Sequence, residues 1–372
     1  MTKPTIICTV TNDLDYDQRM QRICTALAQA GYSVLLIGRA LPHSLPLEEK
    51  PYARRRLKCR FQRGFPFYAE YNLRLFFYLL RAEFDAVCSI DLDTLPAGCL
   101  AGLLRRKKRV FDAHEYFTEV PEVTHRVLVK SVWGAIARIF LRCYRHAYTV
   151  GPALAAIFEE KYGLPFAVVR NVPALHADAL PLPAGWQPAK GRILLYQGAL
   201  NESRGIEQTL RALQQLHGLE LWLAGEGDRS DALRRMAVEL GVQDKVRFLG
   251  RLKPAELRSL TKAAWLGLNV LENNGLSYYY SLSNKFFDYV QAGVPVLTMD
   301  FPEYRALNAR HEVALLLDRL TPEKMVAAVQ FLVNQPETYR RLQRNTQAAR
   351  LEWNWEREQA TLLQVWESVF KD

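Results

Sequence analysis

At 372 residues, with 49% hydrophobic and 24% charged side chains, the chain is long enough for two ordinary domains and too apolar to be disordered. Its net charge of +10 sits almost wholly in the first half, where 25 Lys and Arg face 16 Asp and Glu over residues 1–170, against 24 facing 23 over residues 171–372. No helix-turn-helix, zinc-finger or RNP pattern accompanies the basic residues, which argues against nucleic acid. No run reaches the roughly 18 apolar residues of a membrane span either.

From the start of the chain, short apolar runs alternate with segments of helical period, the pattern of parallel sheets wrapped by helices. The run at 5–10 is followed at once by Asn12, Asp13 and Asp15, so it reads as a first strand and not as a signal peptide. Further strands are expected at 33–37, 86–89, 109–112 and 147–150, and helices at 18–30, 95–104, 129–144 and 152–161. The six cysteines are scattered without metal-ligand spacing, which points to reduced, mostly buried thiols in a cytoplasmic protein. Two dense basic clusters, at 54–60 and 105–109, are followed by a basic amphipathic stretch at 131–145. An anionic membrane surface and plain solvated charge both account for them.

Residues 171–190 contain four prolines, no helical period and almost no charge, and read as a linker between a domain at 1–170 and a second at 191–352. In the second half, strands are expected at 193–197, 219–224, 246–249, 266–271, 295–298 and 314–317. Helices are expected at 206–216, 230–240, 254–263, 284–292, 322–334 and 337–351. The α/β architecture is then two doubly wound Rossmann-like domains facing a central cleft, with ligand at the carboxyl ends of both sheets.

The stretch with the clearest chemistry is Ser283-Asn284-Lys285-Phe286-Phe287-Asp288-Tyr289-Val290-Gln291-Ala292-Gly293-Val294-Pro295-Val296. Ser283 is a good N-cap, so the first amides of the helix and the positive end of its dipole face outward as an anion site. Lys285 adds a cation, and Asp288 projects from the same face about one turn, roughly 5 Å, further in. Spacing alone also fits an ordinary crossover helix with a surface Lys–Asp pair. Upstream, Gln197-Gly198-Ala199-Leu200-Asn201-Glu202-Ser203-Arg204-Gly205 leaves a strand and opens a helix, a loop that can turn amides and Arg204 onto a phosphate. In the first half, Asp112-Ala113-His114-Glu115 puts a histidine at the carboxyl end of a strand. Asp91-Leu92-Asp93 formally matches a metal-binding D-x-D, but the acidic loop at 13–17 contains the same pattern twice, and no metal is expected.

The 283–296 run resembles the N-K-L/F-F-E/D-Y-x-A-G-x-P-V block of family 4 glycosyltransferases, which have the GT-B fold and take sugars from nucleotide diphosphates. The resemblance implies that Asp288 holds the donor ribose, while Ser283, Asn284 and Lys285 meet the diphosphate with Gly198, Arg204 and Gly205. It implies that Gly250 and Arg251 lie where relatives hold the base. Asp112-x-His114-Glu115 is similar to the family's D-x-H-E strand end, which implies His114 at the reaction centre as a polar contact or cation stabiliser, with Glu115 orienting it or meeting the acceptor. By the same likeness Asp13, Arg19 and Asp91 become acceptor contacts, and the helix at 353–372 closes back onto the first domain.

The expected activity is metal-independent transfer, with retention of configuration, from a UDP- or GDP-linked sugar to a glycan, lipid-linked or polysaccharide acceptor. The nucleotide sugar would be a co-substrate and no cofactor is implied; the place would be the cytoplasm, peripheral on the inner face of the membrane. Ala199 stands where the family commonly has arginine. Tyr280 stands where it has the first of two spaced acids, so the sugar's identity stays open. A nucleotide-sugar epimerase and a non-catalytic nucleotide-sugar-binding protein are the alternatives.

Overall fold

A computed structural model describes residues 3–14, 17–42, 44–175, 182, 185–187 and 191–371. It divides into two units, residues 1–170 with 358–372, and residues 171–357. Asp15 and Tyr16 of the acidic loop, and much of 171–190, lie outside the described residues.

The first unit runs β1 (Thr5–Thr9), α1 (Gln18–Gln29), β2 (Ser33–Ala40), β3 (Ala53–Lys58), α2 (Gly64–Arg81), β4 (Ala86–Ile90), α3 (Asp91–Leu104), β5 (Lys108–Ala113), α4 (Pro121–Thr124), α5 (Val127–Phe140), β6 (His146–Thr149), α6 (Pro152–Tyr162) and β7 (Phe166–Val168). Its seven strands form one parallel sheet in the order β3-β2-β1-β4-β5-β6-β7. β1 and β4 are almost wholly buried because helices cover both faces of a parallel sheet. α3 lies close on β4: a Cβ at Gly98 would fall 2.1 Å from Ser89 Oγ.

Four elements here escape the sequence pattern: β7 and α4, three and four residues long and too short to show a period, and β3 and α2. β3 is an edge strand whose arginines hide it, and they are committed within the unit. Arg55 lies over the Tyr78 ring at 4.7 Å, Arg56 pairs with Asp13 at 2.6 Å, and Arg54 reaches the Glu48 carbonyl. Charged side chains on an edge also discourage pairing with another chain. α2 is so rich in aromatic and aliphatic residues that its helical period is masked, yet it buries Phe67, Tyr71, Leu75 and Leu79 at four-residue spacing. In the 105–109 cluster, Arg105 donates to Leu79 O at 3.2 Å, Lys107 lies 3.7 Å from Asp85, and Arg109 donates to Cys143 O at 3.0 Å. Much of the basic excess of the first half is therefore spent inside the unit.

The second unit runs β8 (Arg192–Gln197), α7 (Ile206–Leu213), β9 (Leu219–Ala224), α8 (Ser230–Glu239), β10 (Val246–Gly250), α9 (Pro254–Ala263), β11 (Leu266–Asn269), α10 (Leu276–Tyr279), α11 (Asn284–Gln291), β12 (Val296–Met299), α12 (Pro302–Arg310), β13 (Ala314–Leu317), α13 (Pro322–Asn334) and α14 (Pro336–Glu352). Its sheet is parallel, ordered β10-β9-β8-β11-β12-β13. Part of 171–190 belongs to this core, where Val172 is buried and Trp186 meets Trp222 edge-on at 6.5 Å. A last helix, α15 (Trp355–Lys371), begins in this unit and ends in the first. There Glu358 accepts from the Arg170 amide at 2.7 Å, and Phe370 stacks on Tyr32 at 5.7 Å.

In each sheet the strand order reverses between the unit's first strand and the strand on its other side, β1 beside β4 and β8 beside β11. A doubly wound sheet opens a crevice at the carboxyl ends there, because the connections leave toward opposite faces.

Candidate active site

In the second unit the switch point brings the β8–α7 loop to the start of α11. α11 is seated by Tyr289, whose hydroxyl donates to Leu195 O at 2.8 Å, and by Gly267, where a Cβ would fall 2.3 Å from the Tyr289 ring. The loop itself needs glycine. Gly205 has φ +70°, and Gly225 comes so near that a Cβ there would sit 1.8 Å from Gly198 O.

Beside Gly198 lies Lys285, its ammonium 5.4 Å from the centre of the Tyr196 ring, and Arg204 lies over Tyr278 at 5.1 Å. Burial and the like charge of Arg204 lower Lys285 to about 7, with Asp288 pulling the other way. Among the described residues neither cation has a salt-bridge partner. Two cations and a helix start converge there with only the partial offset of Asp288, which is the electrostatics of a phosphate site.

Asp288 lies one turn along the helix, with Oδ2 accepting from Gln197 Nε2 at 2.9 Å. Gln197 is buried, and its other amide atom accepts from Thr261 Oγ1 at 2.8 Å, which decides which way the amide points. Gln197 and Thr261 are the residues that reading the sequence missed. The only local signal was a polar residue closing the buried run 193–197 of β8.

Ser283 corrects the sequence reading in part: it holds the cap position, but its side chain makes no cap hydrogen bond. Its amide donates instead to the Tyr304 hydroxyl at 2.9 Å. Asn284 is exposed at the helix start. Gly250 ends β10 with φ +67° and forms a bridge to Gly225, which sets it near the loop, while Arg251 is exposed beyond it.

In the first unit the switch point holds His114. Its Nε2 lies 3.0 Å from Asp112 Oδ2, and its Nδ1 faces Asp91 Oδ2 at 3.9 Å. The His114 amide donates to Asp91 Oδ1 at 2.8 Å. Asp91 opens α3 at φ +52°, a left-handed backbone that costs a non-glycine residue free energy and that these contacts maintain. Burial alone would lower the imidazole, but the charges of Asp112 and Asp91 outweigh it and raise it to about 9. Asp91 itself is pushed up to about 8 by burial, against the pull of His114. The direction this geometry supports is a protonated ring at neutral pH. Glu115 is exposed and shares a small cavity with Asp91, Phe111, Tyr116 and Phe117.

Two expected acceptor contacts are overturned. Arg19 is only 4% exposed, with one guanidinium nitrogen on Asp112 Oδ1 and another on Val169 O, both at 2.8 Å. Asp13 is taken up by Arg56 and by the Ser44 hydroxyl at 2.6 Å. Both side chains are nearly buried and engaged within the unit. The D-x-D is likewise engaged, Asp91 by His114 and Asp93 by Thr11. Among the described residues no three His, Cys, Asp or Glu are grouped to hold a metal.

Two doubly wound units of this topology, with switch-point sites, define the GT-B class. Over 99% of its length the chain superposes on sucrose-phosphate synthase from Thermosynechococcus elongatus, all of whose chain is covered, at TM-score 0.81 and 18% identity. HepE from Anabaena, solved with UDP and glucose, matches 98% of this chain and 100% of its own at TM-score 0.77 and 14% identity. Residues 18–173 match the model of Glycosyltransferase Family 4, and residues 185–349 that of Glycosyl transferases group 1. The chain belongs to this family of glycosyltransferases. Among curated relatives, a lipopolysaccharide core biosynthesis glycosyltransferase of Rhizobium meliloti, LpsE, is 36% identical over 63 residues. That match takes in 17% of this chain and 18% of the relative's length.

Proposed function

We propose that the protein is a retaining, metal-independent hexosyltransferase that moves a sugar from a UDP- or GDP-linked donor to a glycan, lipid-linked or polysaccharide acceptor. The observation that carries it is the pair of cations without a salt-bridge partner among the described residues, Lys285 and Arg204, beside a carboxylate that Gln197 holds about one helical turn along. A nucleoside diphosphate matches that pattern: phosphates on the cations and the amides at the start of α11, ribose hydroxyls on Asp288. Gly198 and Gly205 let the loop approach, and Gly250 and Arg251 are placed beside it for the base.

The transferred C1 breaks its bond to the phosphate oxygen and forms one to the acceptor oxygen on the same face. The acceptor proton passes to the leaving phosphate, so no protein nucleophile is required. Lys285 and Arg204 hold the charge that develops on the phosphate, and His114 donates a hydrogen bond to the sugar as positive charge builds there. A neutral-pH imidazolium suits a donor and not a base. Glu115, exposed and lining the cavity, receives the acceptor in place of Asp13 and Arg19, while Asp91 stays with His114.

The acceptor class draws support from α5, which exposes Val127, Leu128, Val132 and Ile139 and carries Lys130 and Arg138. That arrangement fits peripheral binding to an anionic inner membrane face. No helix of the described residues is long and apolar enough to cross a membrane.

The test is thermal unfolding in EDTA with UDP, GDP, ADP and their sugars, followed by product analysis with and without acceptor. A ligand at a hundred times its Kd adds about 2.7 kcal/mol. HepE's bound UDP makes UDP the first base to try. A shift with UDP or GDP and glycoside formation support the reading. Turnover without acceptor makes the protein an epimerase, a shift without turnover makes it a binding protein, and no shift removes the donor site.

A further inference from the structure

The overturned acceptor residue, Arg19, has a different place in the first unit. Asp112 is fully buried, and its two carboxylate oxygens face opposite ways: Oδ1 toward Arg19 Nη2 at 2.8 Å, Oδ2 toward His114 Nε2 at 3.0 Å. Arg19 is itself anchored by Nη1 on Val169 O at 2.8 Å and lies 6.0 Å from the Tyr148 ring centre. The chain of contacts thus runs from the end of β7, through a helix residue and a β5 residue, to the ring at the switch point. A buried arginine-carboxylate pair is a costly way to stabilise a core, since both ions are desolvated. What such a pair supplies is orientation: without Arg19, the Asp112 carboxylate is free to rotate about its side-chain bonds and take the imidazole with it.

We propose that Arg19 and Asp112 are positioning residues for His114, a fixed guanidinium–carboxylate pair that locks the ring with Nε2 turned inward as a donor and Nδ1 turned toward Asp91, itself a residue of the cavity wall. The proposal rests on the reading of His114 given above. The charged groups around the ring are Asp112 from β5, Asp91 and Asp93 from the start of α3, Arg19 from α1, and Glu115 next in the chain. Asp112 and Asp91 favour the ring's charged form, while Arg19, of like sign, opposes it. Removal of either member of the pair therefore moves the ring's titration in opposite directions, a signature that a purely structural ion pair elsewhere in the core lacks.

The experiment is imidazole NMR of the full chain, with the His114 signal assigned by its loss in His114→Gln, together with steady-state kinetics. Asp112→Asn keeps the shape and removes the charge, so the ring midpoint falls by roughly 1–3 pH units. Arg19→Met raises the midpoint, and Arg19→Lys restores it toward wild type. In folded Asp112→Asn and Arg19→Met, kcat falls about tenfold or more while the donor KM stays within about threefold, because the defect is in the transition state and not in donor binding. Recovery of kcat in Arg19→Lys supports the role and also serves if Arg19→Met does not fold. A midpoint unmoved in Asp112→Asn overturns the proposal, as does full turnover in a folded Arg19→Met or in Asp112→Asn. The catalytic reading fails separately: it falls if His114→Ala keeps its turnover, whatever the ring titration shows.

Discussion

The two switch points are built on the same kind of sheet but treat charge in opposite ways. In the first unit Arg19, Asp112 and His114 pair in sequence, with Asp91 next to the ring. In the second unit Lys285 and Arg204 face each other's charge with no salt-bridge partner among the described residues, and the like charge shows in the lowered ammonium of Lys285. The first site is complete without ligand and is built to hold one geometry. The second is strained electrostatically until an anion arrives, so ligand binding and stability are linked there.

That contrast can be broken most sharply at His114. His114→Ala should lower kcat by about 100- to 1000-fold, as loss of a transition-state donor does elsewhere, while the donor Kd changes little. Single-turnover rates and nucleotide titration separate the two quantities. Next in size is Asp288→Ala, with an expected loss of about 100-fold in donor affinity, or roughly 2.7 kcal/mol for the hydrogen bonds of a charged group. An unchanged Kd by calorimetry would remove the ribose assignment.

Lys285 sharpens the comparison through pH. Its folded value, about 7, lies below its unfolded one, so between pH 7 and the usual lysine range the unfolded chain binds more protons and stability of the free protein rises with pH. The penalty is fully present below pH 7. A bound diphosphate raises the ammonium again, so binding takes up a proton and affinity falls by up to about tenfold per pH unit above 7. Lys285→Met should therefore raise the Tm of the free protein at neutral pH and weaken nucleotide binding about tenfold. Paired melting curves with and without nucleotide test both signs. The smallest effect on stability is expected for Leu128→Ser on α5: at 83% exposure the residue contributes within about 0.5 kcal/mol, while binding to anionic vesicles in a sedimentation assay falls.

The second unit was largely legible in advance. Its interior strands are apolar runs bounded by glycine and polar turns, and α11 was expected at 284–292 and spans Asn284–Gln291. β3, α2, α12 and the short β7, α4 and α10 were not legible, for separate reasons: arginines masked an edge strand, aromatics erased a helical contrast, α12 follows its strand after only a short break, and three or four residues are too few to show a period. At the candidate site, Lys285, Asp288 and His114 could be singled out as candidates because they lie in short contiguous blocks. Gln197 and Thr261 were not, because their meeting spans 64 residues of sequence. Arg19 and Asp13 were misread for the same reason, their partners Asp112 and Arg56 being distant in the chain.

What the sequence determined by itself is local: the alternation of strands and helices, the glycine loop after β8, the cation and carboxylate on one face of α11, and the histidine at the end of β5. These follow from period, backbone freedom and side-chain chemistry within a few residues of each other. Tertiary structure alone decided which charges are spent and which remain. An arginine in the first turn of α1 becomes the buried partner of Asp112, while Lys285 and Arg204, drawn together from α11 and the glycine loop, stay without a salt bridge among the described residues. Whether a charge is available for function depends on what folding brings within about 4 Å of it, and that distance is set by packing across the sheet.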